Sequence, residues 1–177
     1  PVICEGDNAS ISVILQLGEA PIVIDYSYNG NNYSYNLGSV GQITPISATI
    51  PIDISGLQIG SNQITINSLT DNSGVVTPSN QLPAPVFITM HANPNVDFTS
   101  STPEICFDDP AILNFNFIAG NPPFSIDYSI NSNNQTPLTI NGSGNQQYTI
   151  TPDPIVGLNS YDIINITDGN GCVGIPS

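Results

Sequence analysis

Four aspartates stand near cysteines or in matching turns and could offer oxygen ligands to a cation. They form two pairs, Asp7 with Asp71 and Asp109 with Asp168. Carboxylate and carbonyl oxygens are the ligands that Ca²⁺ takes in proteins, and the chain has 14 acidic residues but no lysine or arginine. The sequence thus predicts a weak calcium site at one end of each half. The preferred alternative is that Asp71 and Asp168 only form turns.

Residues suited to catalysis are scarce. The single histidine, His91, lies in a proline-flanked linker, so a Ser-His-Asp set is not available. A carboxylate pair could support glycoside hydrolysis, but Asp108-Asp109 is matched by Gly6-Asp7 in the other half and is not repeated. We therefore expect no enzymatic activity and, calcium apart, no cofactor.

The three cysteines favour a disulfide in the second half of the chain. Cys106 opens that half and Cys172 closes it, so a Cys106–Cys172 bond would close a long loop, worth about 3–4.5 kcal/mol. The alternative is a pair of buried free thiols. In the first half Val75 stands where the second cysteine is expected, which leaves Cys4 either free or paired upstream. Disulfide use is typical of extracellular proteins.

These residues recur because the chain contains an internal repeat. The 26 positions from Cys4 return without a gap 102 residues later, from Cys106. A repeat indicates an array of similar modules. We therefore expect two domains, 1–91 and 92–177, the first incomplete at its N-terminus and the second at its C-terminus, within a longer chain. Ten positions are identical: Cys4/Cys106, Asp7/Asp109, Ala9/Ala111, Gly18/Gly120, Pro21/Pro123, Ile24/Ile126, Asp25/Asp127, Tyr26/Tyr128, Ser27/Ser129 and Asn29/Asn131.

The elements that must position these residues are strands. Segments 10–17 and 112–118 alternate apolar and polar residues, as half-buried strands do. Gly18 and Gly120 end these strands, and further strands are expected at 22–28 and 124–130. Alternation then assigns Ile24, Tyr26, Ile126 and Tyr128 to the core. With 16 prolines and 15 glycines, long helices are not expected. Additional strands are predicted at 47–52, 62–69, 86–90, 96–99, 148–151 and 161–166.

The charge of the chain limits its partners. Nucleic-acid binding is excluded, because it needs cations to displace the counterions of phosphate. No apolar run approaches the roughly 20 residues of a membrane-spanning helix, so direct membrane insertion is not expected.

The order of motifs resembles a known family. The shared pattern is Cys-x-Gly/Asp-Asp, an alternating strand, Gly-x-x-Pro-φ-x-φ-x-Tyr with φ apolar, a Tyr-containing strand, and Thr-Asp-x-x-Gly-Cys. It is similar to the Ig-like repeats of Bacteroidota cell-surface adhesins of the SprB-like, gliding-motility-associated type, which use type IX secretion. The resemblance implies an all-β fold of two tandem Ig-like antiparallel β-sandwich modules at the extracellular cell surface.

The expected function is that of a stalk or adhesin in surface attachment or gliding motility. The expected partners are neighbouring repeats of the same chain and a surface glycan or protein, with self-association possible. One alternative is a filament subunit that exchanges strands between chains. Another is a carbohydrate-binding module, for which Tyr26–Tyr35 would have to supply an exposed aromatic platform.

Overall fold

The computed structural model describes residues 1–42, 44–100, 104–106, 109–150 and 156–174 of the 177-residue chain. The chain divides into two compact units, Pro1–Met90 (unit 1) and His91–Ser177 (unit 2). This division lies one residue before the expected boundary at 91/92. Both units are all-β, as predicted, and the helices among the described residues are short 3₁₀ turns at Ile54–Gly56 and Ser79–Gln81. None of the helical segments in the described ranges is long and apolar enough to cross a membrane.

Unit 1 is a sandwich of two sheets. A five-stranded sheet has the order β1-β7-β6-β3-β4, and a two-stranded sheet pairs β2 with β5. Buried side chains from both sheets form one core, which includes Ile11 of β2 and Ile88 of β7. The strands are β1 (Val2–Cys4), β2 (Ala9–Leu15), β3 (Ile22–Tyr28), β4 (Asn31–Leu37), β5 (Ile46–Ile52), β6 (Gly60–Thr70) and β7 (Val86–His91).

Unit 2 repeats this architecture. One sheet has the order β11-β10-β14-β15, with β12 also pairing with β10, and the other has the order β13-β9-β8. The core between them is rich in phenylalanine, and Phe117 and Phe124 stack with ring centroids 3.9 Å apart. The strands are β8 (Asn95–Ser100), β9 (Ala111–Ala119), β10 (Phe124–Ile130), β11 (Asn133–Asn134), β12 (Leu138–Ile140), β13 (Gly144–Ile150), β14 (Tyr161–Thr167) and β15 (Val173–Gly174).

The repeat of the sequence is a repeat of structure. β10 begins and ends 102 residues after β3, as the sequence predicted. A β-bulge interrupts the pairing of each strand with its neighbour at the same place, between Asp25 and Tyr26 and between Asp127 and Tyr128. The predicted inward side chains are confirmed: Ile24, Tyr26 and Ile126 are buried and Tyr128 packs against the core.

Strands β1 and β8 are not counterparts in the repeat, because the residues 102 positions after β1 are 104–106. In unit 2, β8 pairs with β9, so that sheet has three strands. In unit 1, β1 joins the other sheet beside β7, and the backbone N–H of Thr89 donates to the carbonyl of Pro1 at 2.9 Å. In the described part of unit 1, β2 pairs with β5.

Tyrosines form a stack inside unit 1. The rings of Tyr28 and Tyr33 are almost parallel, with centroids 4.4 Å apart, and Tyr26 lies 5.5 Å from Tyr33. The Tyr28 hydroxyl donates to the carbonyl of Asp53 at 2.8 Å. Burial raises the pKa of Tyr28 above its ordinary value, and burial likewise raises the pKa of Tyr26, Tyr128 and Tyr161.

We expect this burial to make the protein sensitive to alkali. Above pH of about 10 the tyrosines ionise in the unfolded chain before they do in the folded one, so the folded state binds more protons and its stability falls as pH rises. The chain has no lysine to mask this titration. The four tyrosines with a raised pKa should ionise together with the loss of the far-ultraviolet circular dichroism signal, and Tyr28→Phe should lessen the alkaline loss of stability. Ionisation of all seven tyrosines with the β-sheet signal retained would contradict this expectation.

Candidate functional site

The predicted calcium aspartates Asp71 and Asp168 lie in equivalent turns, one at an end of each sandwich. Oδ1 of Asp168 accepts hydrogen bonds from the backbone N–H groups of Asn170 and Cys172, both at 2.9 Å. Oδ1 of Asp71 accepts from the backbone N–H groups of Ser73 and Val75, at 3.0 and 2.9 Å. Val75 therefore occupies the position of Cys172, as the sequence alignment of the two turns predicted.

Each turn also contacts a neighbouring loop of its own unit. This is the β2–β3 loop in unit 1 and the β9–β10 loop in unit 2. In unit 2 the N–H of Gly169 donates to the carbonyl of Asn121 at 2.7 Å, and Oδ2 of Asp168 accepts from the N–H of Asn121 at 2.9 Å. In unit 1 the N–H of Asn72 donates to the carbonyl of Glu19 at 2.9 Å. In each unit, the aspartate turn is therefore hydrogen-bonded to a second loop at the same end of the sandwich.

These contacts support the interpretation of Asp71 and Asp168 as turn formers. The hydroxyl and backbone N–H of Ser73, with other backbone N–H groups, hold the pKa of Asp71 below its usual value. Oδ2 of Asp7 accepts from the N–H of Cys4 at 2.9 Å, and the N–H of Asp109 donates to the carbonyl of Cys106 at 3.0 Å. Within the described ranges no three acidic, histidine or cysteine side chains gather as a metal site would require. Calcium binding stays a prediction from the sequence.

The opposite end of each sandwich carries an asparagine pair that sequence reasoning missed. In unit 1, Nδ2 of Asn29 donates to Oδ1 of Asn62 at 2.7 Å. In unit 2, Nδ2 of Asn131 donates to Oδ1 of Asn159 at 2.8 Å. Asn62 is buried, and its amide also bonds to the backbone of Gln58. The signal was present in the sequence, because Asn62 and Asn159 each stand nine residues before the turn aspartate.

The predicted Cys106–Cys172 disulfide is wrong. Cys106 has a free thiol and is exposed, whereas Cys4 and Cys172 are disulfide-bonded. The prediction assumed that the cysteines flanking one sandwich join each other. Instead, Cys172 is fully buried beside the Asp168 turn while Cys106 lies on an exposed segment outside the core, so their sulfurs are in unlike environments. The alternative that Cys4 is free is also wrong, because Cys4 is disulfide-bonded.

Thiol labelling should report this assignment directly. The folded, unreduced protein is expected to take up one iodoacetamide group, at Cys106, because that thiol is exposed. After reduction and unfolding, all three cysteines should react. Peptide mass spectrometry locates the adducts, and Cys106→Ser should remove the native adduct. Labelling of Cys4 or Cys172 without reductant would contradict the assignment.

The aromatic platform required for carbohydrate binding is not on the surface. Tyr26 and Tyr28 are buried, and Tyr33 and Tyr35 pack against the core of unit 1. The alternation of the strand turned these rings inwards. Among the described aromatic residues, Phe87 on β7 and Tyr148 on β13 are exposed, and both lie outside the Tyr26–Tyr35 segment.

An apolar groove runs along β2 in unit 1. Its volume is about 440 Å³. One wall is the segment Ile11–Leu17, the floor includes Ile24 and Ile64, and the opposite wall includes Pro83 and Val86. No charged side chain lines it. We call this feature the β2 groove.

Comparisons with known proteins find distant structural likenesses only. A structure from a 1.5-MDa bacterial ice-binding adhesin aligns with 97% of this chain at 11% identity and a TM-score of 0.39, and the chain spans 57% of that structure. Fibronectin(III)-like modules of Clostridium thermocellum CbhA align with 98% of this chain and 84% of theirs, at 11% identity and a TM-score of 0.39. No protein-family model and no curated protein matches the sequence. At these scores the likenesses carry no argument about function.

Proposed function

We propose that the chain is a structural and adhesive segment of a long extracellular cell-surface repeat protein, acting as a stalk or adhesin. The observation that carries this proposal is the structural repeat. Two sandwiches follow one another, and the same polar residues hold the ends of each together: the Asp71 and Asp168 turns at one end, the asparagine pairs at the other. These side chains are used for holding loops in place.

The cysteines and the charge support the same function. A disulfide persists in oxidising surroundings and is rare in the cytosol, and Cys4 and Cys172 are both disulfide-bonded. A net charge of −14 keeps such a chain soluble. The finer proposal, a gliding-motility adhesin of the SprB-like type secreted by the type IX system, rests on the sequence resemblance. It requires further repeats of this pattern in the full-length protein.

Single-molecule stretching tests the stalk function. In reducing buffer, a tethered chain should unfold in two separate events, each lengthening the tether by roughly 30 nm, as expected for about 90 residues at about 3.5 Å each. Light scattering after size-exclusion chromatography should show a monomer. Extension at low force without discrete unfolding events would contradict the proposal. Attachment of protein-coated beads to glycan and abiotic surfaces then separates an adhesive module from a passive spacer.

A further inference from the structure

Asparagine followed by glycine is the sequence in which an asparagine side chain most readily loses its amide group. The chain contains three such pairs, Asn29-Gly30, Asn141-Gly142 and Asn170-Gly171. Glycine has no side chain to hinder attack by its backbone nitrogen on the amide carbon of the preceding residue. The three pairs have different surroundings in the folded chain, so the structure ranks their reactivity.

The Asn141-Gly142 pair lies in the connection between two strands of unit 2. β12 ends at Ile140 and β13 begins at Gly144, and residues 141–143 belong to no strand. Asn141 is exposed. Among the described residues, no hydrogen bond involves the Asn141 side chain or the backbone N–H of Gly142. The reacting groups of this pair are therefore accessible to each other and to water.

The Asn29 side chain is held by two hydrogen bonds. Its Nδ2 donates to Oδ1 of Asn62 at 2.7 Å and to the carbonyl of Gly56 at 2.9 Å. Asn62 is itself buried. Attack by the Gly30 nitrogen requires the amide of Asn29 to turn away from both partners, so these bonds slow the reaction.

In the Asn170-Gly171 pair, the group that is held is the attacking nitrogen. The backbone N–H of Gly171 donates to the carbonyl of Asp168 at 2.9 Å. The Asp168 carboxylate lies beside this turn, where it accepts from the backbone N–H groups of Asn170 and Cys172. To react, the nitrogen must leave its acceptor and become anionic near this carboxylate, and the repulsion between like charges opposes that step.

We propose that Asn141 is a site of spontaneous deamidation in the folded protein, and that Asn29 and Asn170 are protected from it. The Gly142 nitrogen gives up its proton to water and attacks the side-chain carbonyl carbon, Cγ, of Asn141. A C–N bond forms to close a succinimide ring, and the bond from Cγ to the amide nitrogen breaks, so that ammonia leaves with a proton taken from water. Addition of water to either carbonyl of the ring gives aspartate or isoaspartate. The net reaction consumes water and releases ammonia, and no other reactant takes part.

The product changes both the charge and the backbone of the connection between β12 and β13. Each event replaces a neutral amide by a carboxylate, so the net charge of −14 becomes one unit more negative. Isoaspartate also carries the main chain through the β-carbon and so lengthens the connection. Loops tolerate such insertions, so we expect unit 2 to keep its fold. The extent of conversion at Asn141 then records how long the folded chain has been in solution, whether or not the chain acts as a stalk.

Peptide mass spectrometry of aged protein tests the proposal. The folded, unreduced chain is incubated at mildly alkaline pH and digested with pepsin, because the chain offers trypsin no lysine or arginine. Conversion at Asn141 should be on the order of tenfold faster than at Asn29 and Asn170, since no hydrogen bond has to break first. In concentrated urea the three rates should become similar. Equal rates in the folded chain, or the same ranking and ratio of rates in urea, would overturn the proposal.

A variant at the attacking residue tests the chemistry. Gly142→Ala places a methyl group beside the attacking nitrogen and should slow the conversion of Asn141 several-fold. The added Cβ would meet only the flexible end of the Gln146 side chain, which can move aside, and circular dichroism checks that the fold is kept. Ser143→Ala is the matched control, because it changes an exposed residue of the same connection and should leave the rate unchanged. An unaltered rate in Gly142→Ala would show direct hydrolysis of the amide by water and would contradict the proposed step.

Discussion

Replacing Phe124 with alanine is expected to destabilise unit 2 by about 3–5 kcal/mol, the usual cost of deleting a buried aromatic ring. Phe124 is fully buried at the start of β10 and stacks on Phe117 with an interplanar angle of 7°. Its removal leaves a cavity in the middle of the core. Since small domains are stable by only about 5–15 kcal/mol, much of the stability of unit 2 should be lost. Urea unfolding followed by circular dichroism measures the change.

Two controls make this result specific. Phe87→Ala removes an exposed ring from unit 1 and should change stability by less than about 1 kcal/mol. Hydrogen-exchange mass spectrometry should show lost protection in peptides from unit 2 for Phe124→Ala and unchanged protection in unit 1. If Phe124→Ala and Phe87→Ala have the same effect, the phenylalanine core of unit 2 is not as described.

Asp168→Ala is expected to be the most damaging polar substitution, at about 2–4 kcal/mol. The Asp168 side chain is 5% exposed and accepts hydrogen bonds from the backbone N–H groups of Asn121, Asn170 and Cys172. Alanine would leave these donors without an acceptor, and a buried donor that loses its partner costs about 1–3 kcal/mol. Thermal unfolding should begin at lower temperature in unit 2, again resolved by hydrogen exchange.

The repeat provides a matched control for this prediction. Asp71→Ala makes the same change at the equivalent turn of unit 1, where Ser73 and Val75 are exposed and water can replace the carboxylate. Its loss should be clearly smaller. Asp168→Asn keeps an acceptor oxygen and should retain part of the stability. Equal effects of Asp71→Ala and Asp168→Ala would show that burial does not determine how much the aspartate contributes to stability.

Much of the fold could be predicted because its signals are local. Strand β3 was predicted with its observed bounds, Ile22–Tyr28, and β10 with its bounds, Phe124–Ile130. Alternation of side chains across a strand is fixed by backbone geometry, so it appears directly in the sequence. Strand β4 was given no bounds, although Tyr33, Tyr35 and Leu37 alternate with polar residues and pack towards the core, because the asparagines at its start are typical of a turn.

The candidate site was predicted less well. The Asp71 and Asp168 turns were found from their shared sequence, but the sequence did not show that Asp168 is buried and bonded to a neighbouring loop. The asparagine pairs join residues 33 and 28 positions apart, and each asparagine alone resembles an ordinary turn residue. Such bonds depend on which loops meet at an end of the sandwich.

The sequence by itself determined that this protein is a tandem pair of β-sandwiches and which face of β3 and β10 is buried, because repeats and alternation are properties of neighbouring residues. Only the tertiary structure decided which cysteines are bonded, that Asp168 and Asn62 are buried, and that β1 pairs with β7. Those outcomes depend on the pairing of segments far apart in the chain. Local patterns favour a strand but do not select its neighbour.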